Sequence, residues 1–243
     1  MADQRIALVT GASRGIGRAV ALALASSGAH VVATARTVGG LEELDDDIQA
    51  AGGTTTLVPL DLTDFEGIDR LGAAIYERWG RLDVLLGNAG LLGGVTPTAH
   101  IEPKVWNDVF TVNVTANWRL IRSLDPLLRQ STAGRALFIS SGAAVKCLPY
   151  WGAYSASKAA LNAMIRTYAK ELKTSKATAN LVNPGPLRTA MRAQAMPGED
   201  PMTLKTPEDL APDLVRMTQP DYVETGVMFD FPTGTTEVLD PEP

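Results

Sequence analysis

A strand that runs directly into a glycine-rich turn and a helix constrains the fold of this chain more than any other feature. Residues 5–20 read RIALVTGASRGIGRAV, where the apolar run 6–9 precedes the glycines and a helix-favouring pattern follows them. The N-terminus of a helix carries unpaired N–H groups and a partial positive charge, so it can hold a pyrophosphate if the backbone comes close. Gly11, Gly15 and Gly17 permit that approach and predict a nucleotide site. Any tight strand-to-helix turn also favours glycine, so this pattern alone leaves that alternative open.

The composition is that of one large α/β domain. The chain has 243 residues and a mass of 25.8 kDa, with 45% hydrophobic and 20% charged residues, which suits a sizeable core. The net charge of -5 and the pI near 5.1 argue against nucleic acid as the main partner, because clustered Lys and Arg hold a polyphosphate backbone and the sequence has no basic run.

The cysteine and histidine content argues against a disulfide and a metal centre. Cys147 is the only cysteine, so no internal disulfide or thiolate cluster can form. We expect its side chain to be buried or half-buried, with a cysteine nucleophile as the alternative. His30 and His100 lie far apart in the sequence, so we predict no metal site and no Ser-His-Asp triad.

Targeting and membrane-spanning segments are not expected in this sequence. The first predicted strand begins at residue 6, so we expect no signal or transit peptide before the fold. No apolar stretch approaches the length that crosses a bilayer, so we expect no membrane partner. These features predict a cytoplasmic protein.

Strands alternate with helices along the whole chain. We predict strands at residues 6–9, 29–35, 54–60, 82–86, 135–140, 177–182 and 226–229. We predict a first helix that ends near residue 27 and another that runs from Thr63 or Asp64 to about residue 79. Further helices are predicted at 41–51, 103–129, 152–174 and 207–217. This rhythm predicts a single Rossmann-like domain over residues 1–243, a doubly wound parallel sheet of about seven strands with helices on both faces. Residues 187–206 are expected to form a mobile substrate flap and residues 231–243 a loosely held tail.

The loops that follow the predicted strands should meet in one crevice, because open parallel sheets bind ligands beyond the carboxyl ends of their strands. These loops are the glycine turn and residues 61–62, 87–90, 140–141 and 183–186.

Tyr154 and Lys158 lie four residues apart on a predicted helix and therefore share one face. A free tyrosine has a pKa near 10 and is a poor base at neutral pH, but a nearby cation favours the phenolate. We therefore expect Lys158 to lower the pKa of Tyr154. Taken alone, the pair fits an ordinary helix face with an aromatic residue and a solvated lysine.

With these residues the chain resembles the short-chain dehydrogenase/reductase family over residues 5–230. The motifs occur in the family's order and approximate spacing: Thr10-Gly11-x-x-x-Gly15-x-Gly17, Asn88-Ala89-Gly90, Asn113, Ser141, Tyr154-x-x-x-Lys158 and Pro184-Gly185. Residues 88–93, 150–158 and 188–201 are also similar to a bacterial YciK-like branch of that family.

The resemblance implies a catalytic role for four residues. Tyr154 would be the general acid that protonates a carbonyl oxygen in reduction, and the base in the reverse direction. Lys158 would bind the nicotinamide ribose and lower the pKa of Tyr154, and Ser141 would donate a hydrogen bond to the substrate oxygen. Asn113 would hold a water that links Lys158 to solvent as a proton relay; an exposed polar residue is the alternative there. Ser140 is the alternative serine.

Charge at the end of the second predicted strand favours NADP(H). Relatives that prefer NAD place an acid there, which binds the ribose 2′-hydroxyl. This chain has Ala35 followed by Arg36, with Arg14 in the glycine turn, and two guanidinium groups suit a 2′-phosphate. The alternative is that Arg36 is a loop residue without a role in cofactor binding, and that the cofactor is NAD(H). The resemblance implies cofactor contacts with Gly11, Ser13, Arg14, Gly15, Ile16, Gly17, Arg36, Asp61, Leu62, Asn88, Ala89, Gly90, Tyr154, Lys158, Pro184, Gly185 and Thr189.

The sequence departs from the family pattern at two places. Gly87 stands where the family has the first residue of Asn-Asn-Ala-Gly, which removes a side-chain contact. Residues 230–234 read DFPTG in place of Asp-Gly-Gly, so the C-terminal rim should differ in shape or in subunit contacts.

The predicted substrate wall is largely apolar. It comprises Leu91, Leu92, Val145, Leu148, Trp151, Met191 and Met196. Arg188 and Arg192 could meet an anionic group of the substrate, but solvated flap residues are the favoured interpretation.

These features favour an oxidoreductase that transfers a hydride between NADP(H) and a small-molecule carbonyl or secondary alcohol. A catalytically silent NADP(H)-binding sensor or scaffold is the alternative, and an epimerase or dehydratase acting on a nucleotide sugar is a third hypothesis. The resemblance also implies a homodimer or homotetramer assembled through the helices at 103–129 and 152–174.

Overall fold

The structure is a computed structural model that describes residues 4–239. Its strands are β1 (Ile6–Thr10), β2 (His30–Ala35), β3 (Thr54–Pro59), β4 (Val84–Gly87), β5 (Arg135–Ile139), β6 (Thr178–Asn183), β7 (Val227–Asp230) and β8 (Thr235–Val238). Its helices are α1 (Gly15–Ser26), α2 (Val38–Ala50), α3 (Phe65–Trp79), α4 (Pro103–Phe110), α5 (Ala116–Gln130), α6 (Ala143–Lys146), α7 (Gly152–Glu171), α8 (Ala190–Ala195) and α9 (Pro207–Met217). Short 3₁₀ turns lie at Thr98–His100 and Pro201–Thr203, and a π-helical turn at Thr111–Thr115.

The strands form one sheet in the order β3-β2-β1-β4-β5-β6-β7-β8. All neighbours from β3 to β7 are parallel, and β8 alone runs antiparallel, beside β7. The predicted doubly wound fold is therefore confirmed, with eight strands where about seven were predicted. The additional strand lies within the predicted tail at residues 231–243, of which 240–243 fall outside the described residues.

Each face of the sheet is covered by helices. Alternate residues of β1 point to opposite sides: Ala7 and Val9 join the core formed with α1, α2 and α9, whereas Ile6 and Leu8 join the core formed with α3, α5 and α7. Strands that are buried on both faces read as continuous apolar runs, which is why β1 was recognisable in the sequence.

Helix ends follow from local capping chemistry. Of the two predicted caps of α3, Asp64 is the one used, and its carboxylate accepts a hydrogen bond from Gly67 N at 2.9 Å.

The segment predicted as one helix over 103–129 is α4 and α5 joined by the π turn, and the helix predicted to reach residue 174 ends at Glu171. The π turn matters for the site because it contains Asn113.

Candidate active site

The turn after β4 is tied to the end of β1, its neighbour in the sheet. Asn88 Nδ2 donates to the carbonyl oxygens of Thr10 at 2.8 Å and Gly11 at 3.3 Å. Thr10 Oγ1 accepts from the backbone N–H groups of Asn88 at 3.0 Å and Ala89 at 3.1 Å. The side chain of Asn88 therefore shapes the glycine turn, and Thr10 holds the backbone of the turn after β4.

The start of α1 fits a pyrophosphate. A Cβ at Gly17 would lie 2.3 Å from Gly11 O, so only glycine allows the turn to pack this closely. Gly15 has φ +56, and a Cβ there would meet only Thr189 Cγ2, at 3.7 Å, so the space in front of the turn is open. The residue before α1 makes no capping bond with its side chain, and the first turn of this helix carries no acid. Its N–H groups are thus available to an anion.

Three further residues predicted to contact the cofactor are Ser13, Ile16 and Leu62. Ser13 packs against Gly40 of α2, where a Cβ would approach Ser13 Cβ to 2.9 Å, and Ile16 is half-buried against the α1 core. Leu62, beyond β3, is buried.

Arg36 follows β2, and Arg14 lies in the glycine turn directly before α1. Arg36 Nη1 lies 3.9 Å from the carboxylate of Asp61, and the two side chains are 65% and 44% exposed. Such an exposed ion pair contributes little to stability, so Arg36 remains available to bind another anion. Arg14 is exposed and, among residues 4–239, its side chain has no hydrogen bond or ion pair.

Asn113 is fully buried in the π turn, as the apolar residues beside it indicated, and not on an exposed face. Its Oδ1 accepts from Leu91 N at 2.7 Å, and its Nδ2 donates to Leu91 O and to Ser157 Oγ, both at 2.9 Å. Ser157 Oγ in turn donates to Tyr154 O at 2.8 Å. The amide of Asn113 therefore fastens the loop after β4 to the helix that carries Tyr154.

Gly87 is explained by the side chain of Asn117. A Cβ at Gly87 would lie 2.4 Å from Phe138 Cδ1 and 2.7 Å from Asn117 Oδ1, so these side chains fill the space that a residue at 87 would take. Asn117 Nδ2 also donates to Asn113 O at 2.9 Å. Sequence reasoning missed Asn117, although its position one turn after Asn113 was the available signal.

Ser141, and not Ser140, is the serine that the structure places against Tyr154. The Ser141 side chain makes a hydrogen bond with the phenol and also accepts from Ala143 N at 3.1 Å. Ser140 is fully buried, and its hydroxyl donates to Asn162 Oδ1. The α7 helix then places Lys158 on the same side as Tyr154, with Nζ 5.7 Å from the ring centroid.

Burial dominates the protonation of this pair. It raises the pKa of Tyr154 above its ordinary value, and the hydrogen bond from Ser141 opposes that shift. The pKa of Tyr154 is therefore raised, where the spacing to Lys158 predicted a lowered one. Burial lowers the pKa of Lys158 to about 8, and its Nζ donates to Ile139 O at 2.7 Å. A Cβ at Gly90 would lie 3.6 Å from Lys158 Nζ, so this ammonium lies against the turn after β4.

The turn after β6 is anchored by Asn183, which sequence reasoning also missed. Asn183 Oδ1 accepts from Gly142 N at 2.8 Å and Gly185 N at 3.2 Å, and its Nδ2 donates to Asp230 Oδ1 at 3.3 Å. Pro232 of the divergent rim packs against Gly185. Pro184 is buried beside them. The rim thus supports the loop predicted to face the nicotinamide.

The substrate wall is partly assembled around Tyr154. Leu92 and Ala195 form a buried cluster with Tyr154, and Trp151 and Met191 pack against it. The rings of Trp151 and Tyr154 meet edge to face, with centroids 5.9 Å apart. Leu91 is half-buried, whereas Val145, Leu148 and Met196 are exposed and do not join this cluster.

Cys147 is exposed, so the expectation that it is buried or half-buried was wrong. It ends α6 in the left-handed region, with φ 46, which directs the chain out of the short helix.

Within residues 4–239, no group of three or more His, Cys, Asp or Glu residues could hold a metal ion. In the same range, no helix has the length and apolar character that a membrane crossing requires.

Comparison with known proteins agrees with this geometry. The model of the short chain dehydrogenase family matches residues 5–200. The uncharacterized oxidoreductase YciK of Escherichia coli (strain K12) is 41% identical over 236 residues, covering 96% of this chain and 93% of that protein. A short chain dehydrogenase of Shigella flexneri 2a complexed with NADP superposes with a TM-score of 0.90 and 40% identity, covering 94% of this chain and 97% of the other. A short chain dehydrogenase of Escherichia coli CFT073 complexed with NADPH superposes with a TM-score of 0.88 and 40% identity. The match covers 94% of this chain and 96% of the other. The resemblance to the YciK-like branch is confirmed, and the chain belongs to the short-chain dehydrogenase family of oxidoreductases.

Proposed function

We propose that this protein is an NADP(H)-dependent oxidoreductase that reduces a carbonyl group or oxidises a secondary alcohol, with Tyr154 as the general acid and base. The single observation that supports this most is the grouping of Ser141, Tyr154 and Lys158. The serine hydroxyl makes a hydrogen bond with the phenol, and the lysine ammonium lies 5.7 Å from the centroid of the phenol ring and against Gly90.

The bound nicotinamide would supply or accept the hydride. In reduction, Tyr154 gives its proton to the carbonyl oxygen while Ser141 holds that oxygen by a hydrogen bond. Because burial raises the pKa of Tyr154, the phenol is protonated at neutral pH, which suits proton donation. Lys158, with a pKa of about 8, can return the proton to Tyr154, and Asn113 keeps the loop after β4 against this pair.

The glycine turn would hold the pyrophosphate, and Arg14 and Arg36 would bind the 2′-phosphate of NADP(H). The open space at Gly15, the uncapped start of α1 and the absence of an acid at the end of β2 support this. The NADP and NADPH complexes of the two similar short chain dehydrogenases support the same cofactor. Thr189, whose Cγ2 would lie 3.7 Å from a Cβ at Gly15, would contact the nicotinamide end.

Oxidation of NADPH and NADH by purified protein, with a panel of aldehydes, ketones and quinones, tests the proposal. We expect turnover with NADPH that falls by about 10²-fold or more in Tyr154→Phe, the range typical of a lost general acid. Tyr76→Phe, which alters an exposed tyrosine of α3, should retain wild-type activity. Tight NADPH binding without any turnover would instead favour the sensor or scaffold, and binding of neither cofactor would contradict both.

The cofactor preference has its own test. Arg36→Ala should lower kcat/KM for NADPH by about tenfold and leave that for NADH nearly unchanged, because one charge-assisted contact to a phosphate is lost. Arg70→Ala removes another exposed guanidinium, on α3, and is the matched control. Equal losses with both cofactors in Arg36→Ala would contradict the assignment.

A homodimer or homotetramer also stays a proposal, as does the cytoplasmic location. Two exposed tryptophans support the oligomer: Trp106 on α4 is 38% exposed and Trp118 on α5 is 46% exposed. Exposed aromatic residues are typical of protein interfaces. The molar mass from light scattering during size exclusion distinguishes a monomer of 25.8 kDa from its multiples.

A further inference from the structure

Residues 187–206 form a closed loop that carries α8 against the catalytic tyrosine. Leu187 pairs with Lys205 at the base of the loop, where Arg188 N donates to Lys205 O at 2.9 Å. From this base, α8 brings Ala195 into the buried cluster with Tyr154 and lays Met191 against it. The α8 helix therefore forms part of the surroundings of Tyr154.

Two of the three cations in this loop are bound by other groups of the chain. Arg188 Nε donates to Pro201 O at 2.8 Å, and its Nη2 to Leu204 O at 3.3 Å. Lys205 Nζ lies 4.5 Å from the ring centroid of Phe231. Neither side chain is turned toward the apolar cluster at Tyr154.

The third cation, Arg192, follows Met191 on α8 and is held by Glu199. Arg192 Nε and Nη2 donate to the two carboxylate oxygens of Glu199, both at 2.6 Å, and the side chains are only 24% and 27% exposed. These hydrogen bonds hold the pKa of Glu199 below its usual range. Such a two-point pair uses the guanidinium edge that would otherwise bind a carboxylate of a substrate. Arg188 and Arg192 are therefore half-buried and bound to other groups of the flap, where solvated side chains were predicted.

We propose that Glu199 determines substrate charge: by pairing with Arg192 it neutralises the cation of α8, so the enzyme takes carbonyl compounds whose remainder is uncharged and apolar. This inference rests on the proposed function. It also implies that removal of the Glu199 charge converts Arg192 into a binding group for carboxylates.

Pairs of oxo compounds test this, each supplied as its ethyl ester and as its free carboxylate, with NADPH as the reductant. The measured quantity is kcat/KM for the acid divided by kcat/KM for the ester. We expect wild-type protein to favour the ester, and Glu199→Gln to raise the ratio by about tenfold, the effect of one charge-assisted hydrogen bond. Adding Arg192→Gln to Glu199→Gln should return the ratio to the wild-type value. Glu208→Gln, which removes an exposed acid of α9 close to the flap, should leave it unchanged.

Three outcomes would overturn the proposal. The first is an equal ratio in wild type and Glu199→Gln. The second is loss of ester turnover in Glu199→Gln with NADPH binding intact, which would mean that the pair only holds the flap in shape. The third is failure of wild type to reduce either form of any pair, and Tyr154-dependent turnover of other carbonyls then shows whether the proposed function itself survives.

Discussion

Asn183 Oδ1 accepts a hydrogen bond from Gly142 N at 2.8 Å, so the last residue of β6 holds the residue that follows Ser141. The same oxygen accepts from Gly185 N at 3.2 Å, and Asn183 Nδ2 donates to Asp230 Oδ1 at 3.3 Å. One amide thus joins the Ser141 loop, the turn after β6 and the divergent C-terminal rim. We infer that Asn183 is a positioning residue.

Exchange of the two partners tests this role. Asn183→Asp keeps the acceptor but sets a carboxylate against Asp230, so we expect a loss of about 1–3 kcal/mol in stability and a lower kcat. Adding Asp230→Asn restores a donor opposite the new carboxylate, and most of both losses should be recovered. Urea unfolding and NADPH-dependent reduction measure the two quantities. A double variant as impaired as Asn183→Asp would contradict the positioning role.

Gly17→Ala should weaken NADPH binding, because the new Cβ would lie 2.3 Å from Gly11 O and would push the glycine turn apart. Overpacking of this kind costs about 1–3 kcal/mol, which we expect in the binding free energy from fluorescence titration. Gly39→Ala is the matched control, because a Cβ at Gly39 in α2 meets nothing within 4 Å. Similar losses in both variants would point to general destabilisation by Gly→Ala changes.

Local patterns in the sequence predict most of this fold. The apolar run before the glycine turn became β1, and the four-residue spacing placed Tyr154 and Lys158 on one side of α7. By contrast, all four residues of β8 are exposed, so the strand has no buried face that a hydrophobic pattern could reveal, and its backbone pairing with β7 depends on the fold.

The unpredicted parts of the site depend on contacts between distant residues. Asn183 acts on Gly142, which lies 41 residues away in the sequence, and no local periodicity reports such a contact. The direction of the Tyr154 pKa shift depends on the balance between burial and nearby charge, and only the structure shows how deeply the phenol is buried.

His30 should make the protein less stable in acid. Its ring nitrogens lie 2.8 Å from the hydroxyls of Thr54 and Thr56, and burial, followed by the charge of Arg78, lowers the pKa of His30. The unfolded chain therefore binds a proton at a higher pH than the folded one, and stability falls as pH drops below about 6.5. In urea unfolding, His30→Gln should lose less stability than wild type between about pH 7.5 and pH 5.5.

The matched control for that comparison is His100→Gln, which removes an exposed histidine from a 3₁₀ turn. If wild type, His30→Gln and His100→Gln all lose the same stability in acid, His30 is not responsible for the loss.

Lys158 should make the protein without nucleotide more stable in alkali. Burial lowers the pKa of Lys158 from 10.5 to about 8, so between these values the unfolded chain holds a proton that the folded protein has released. Stability relative to Lys158→Met should therefore rise by about 2 kcal/mol from pH 8 to pH 10, since one pKa unit corresponds to about 1.4 kcal/mol. Subtracting the variant removes the contribution of the other titrating groups. Urea unfolding across this range measures the difference, and a difference that stays constant or falls with pH would show that Lys158 is not held with a lowered pKa.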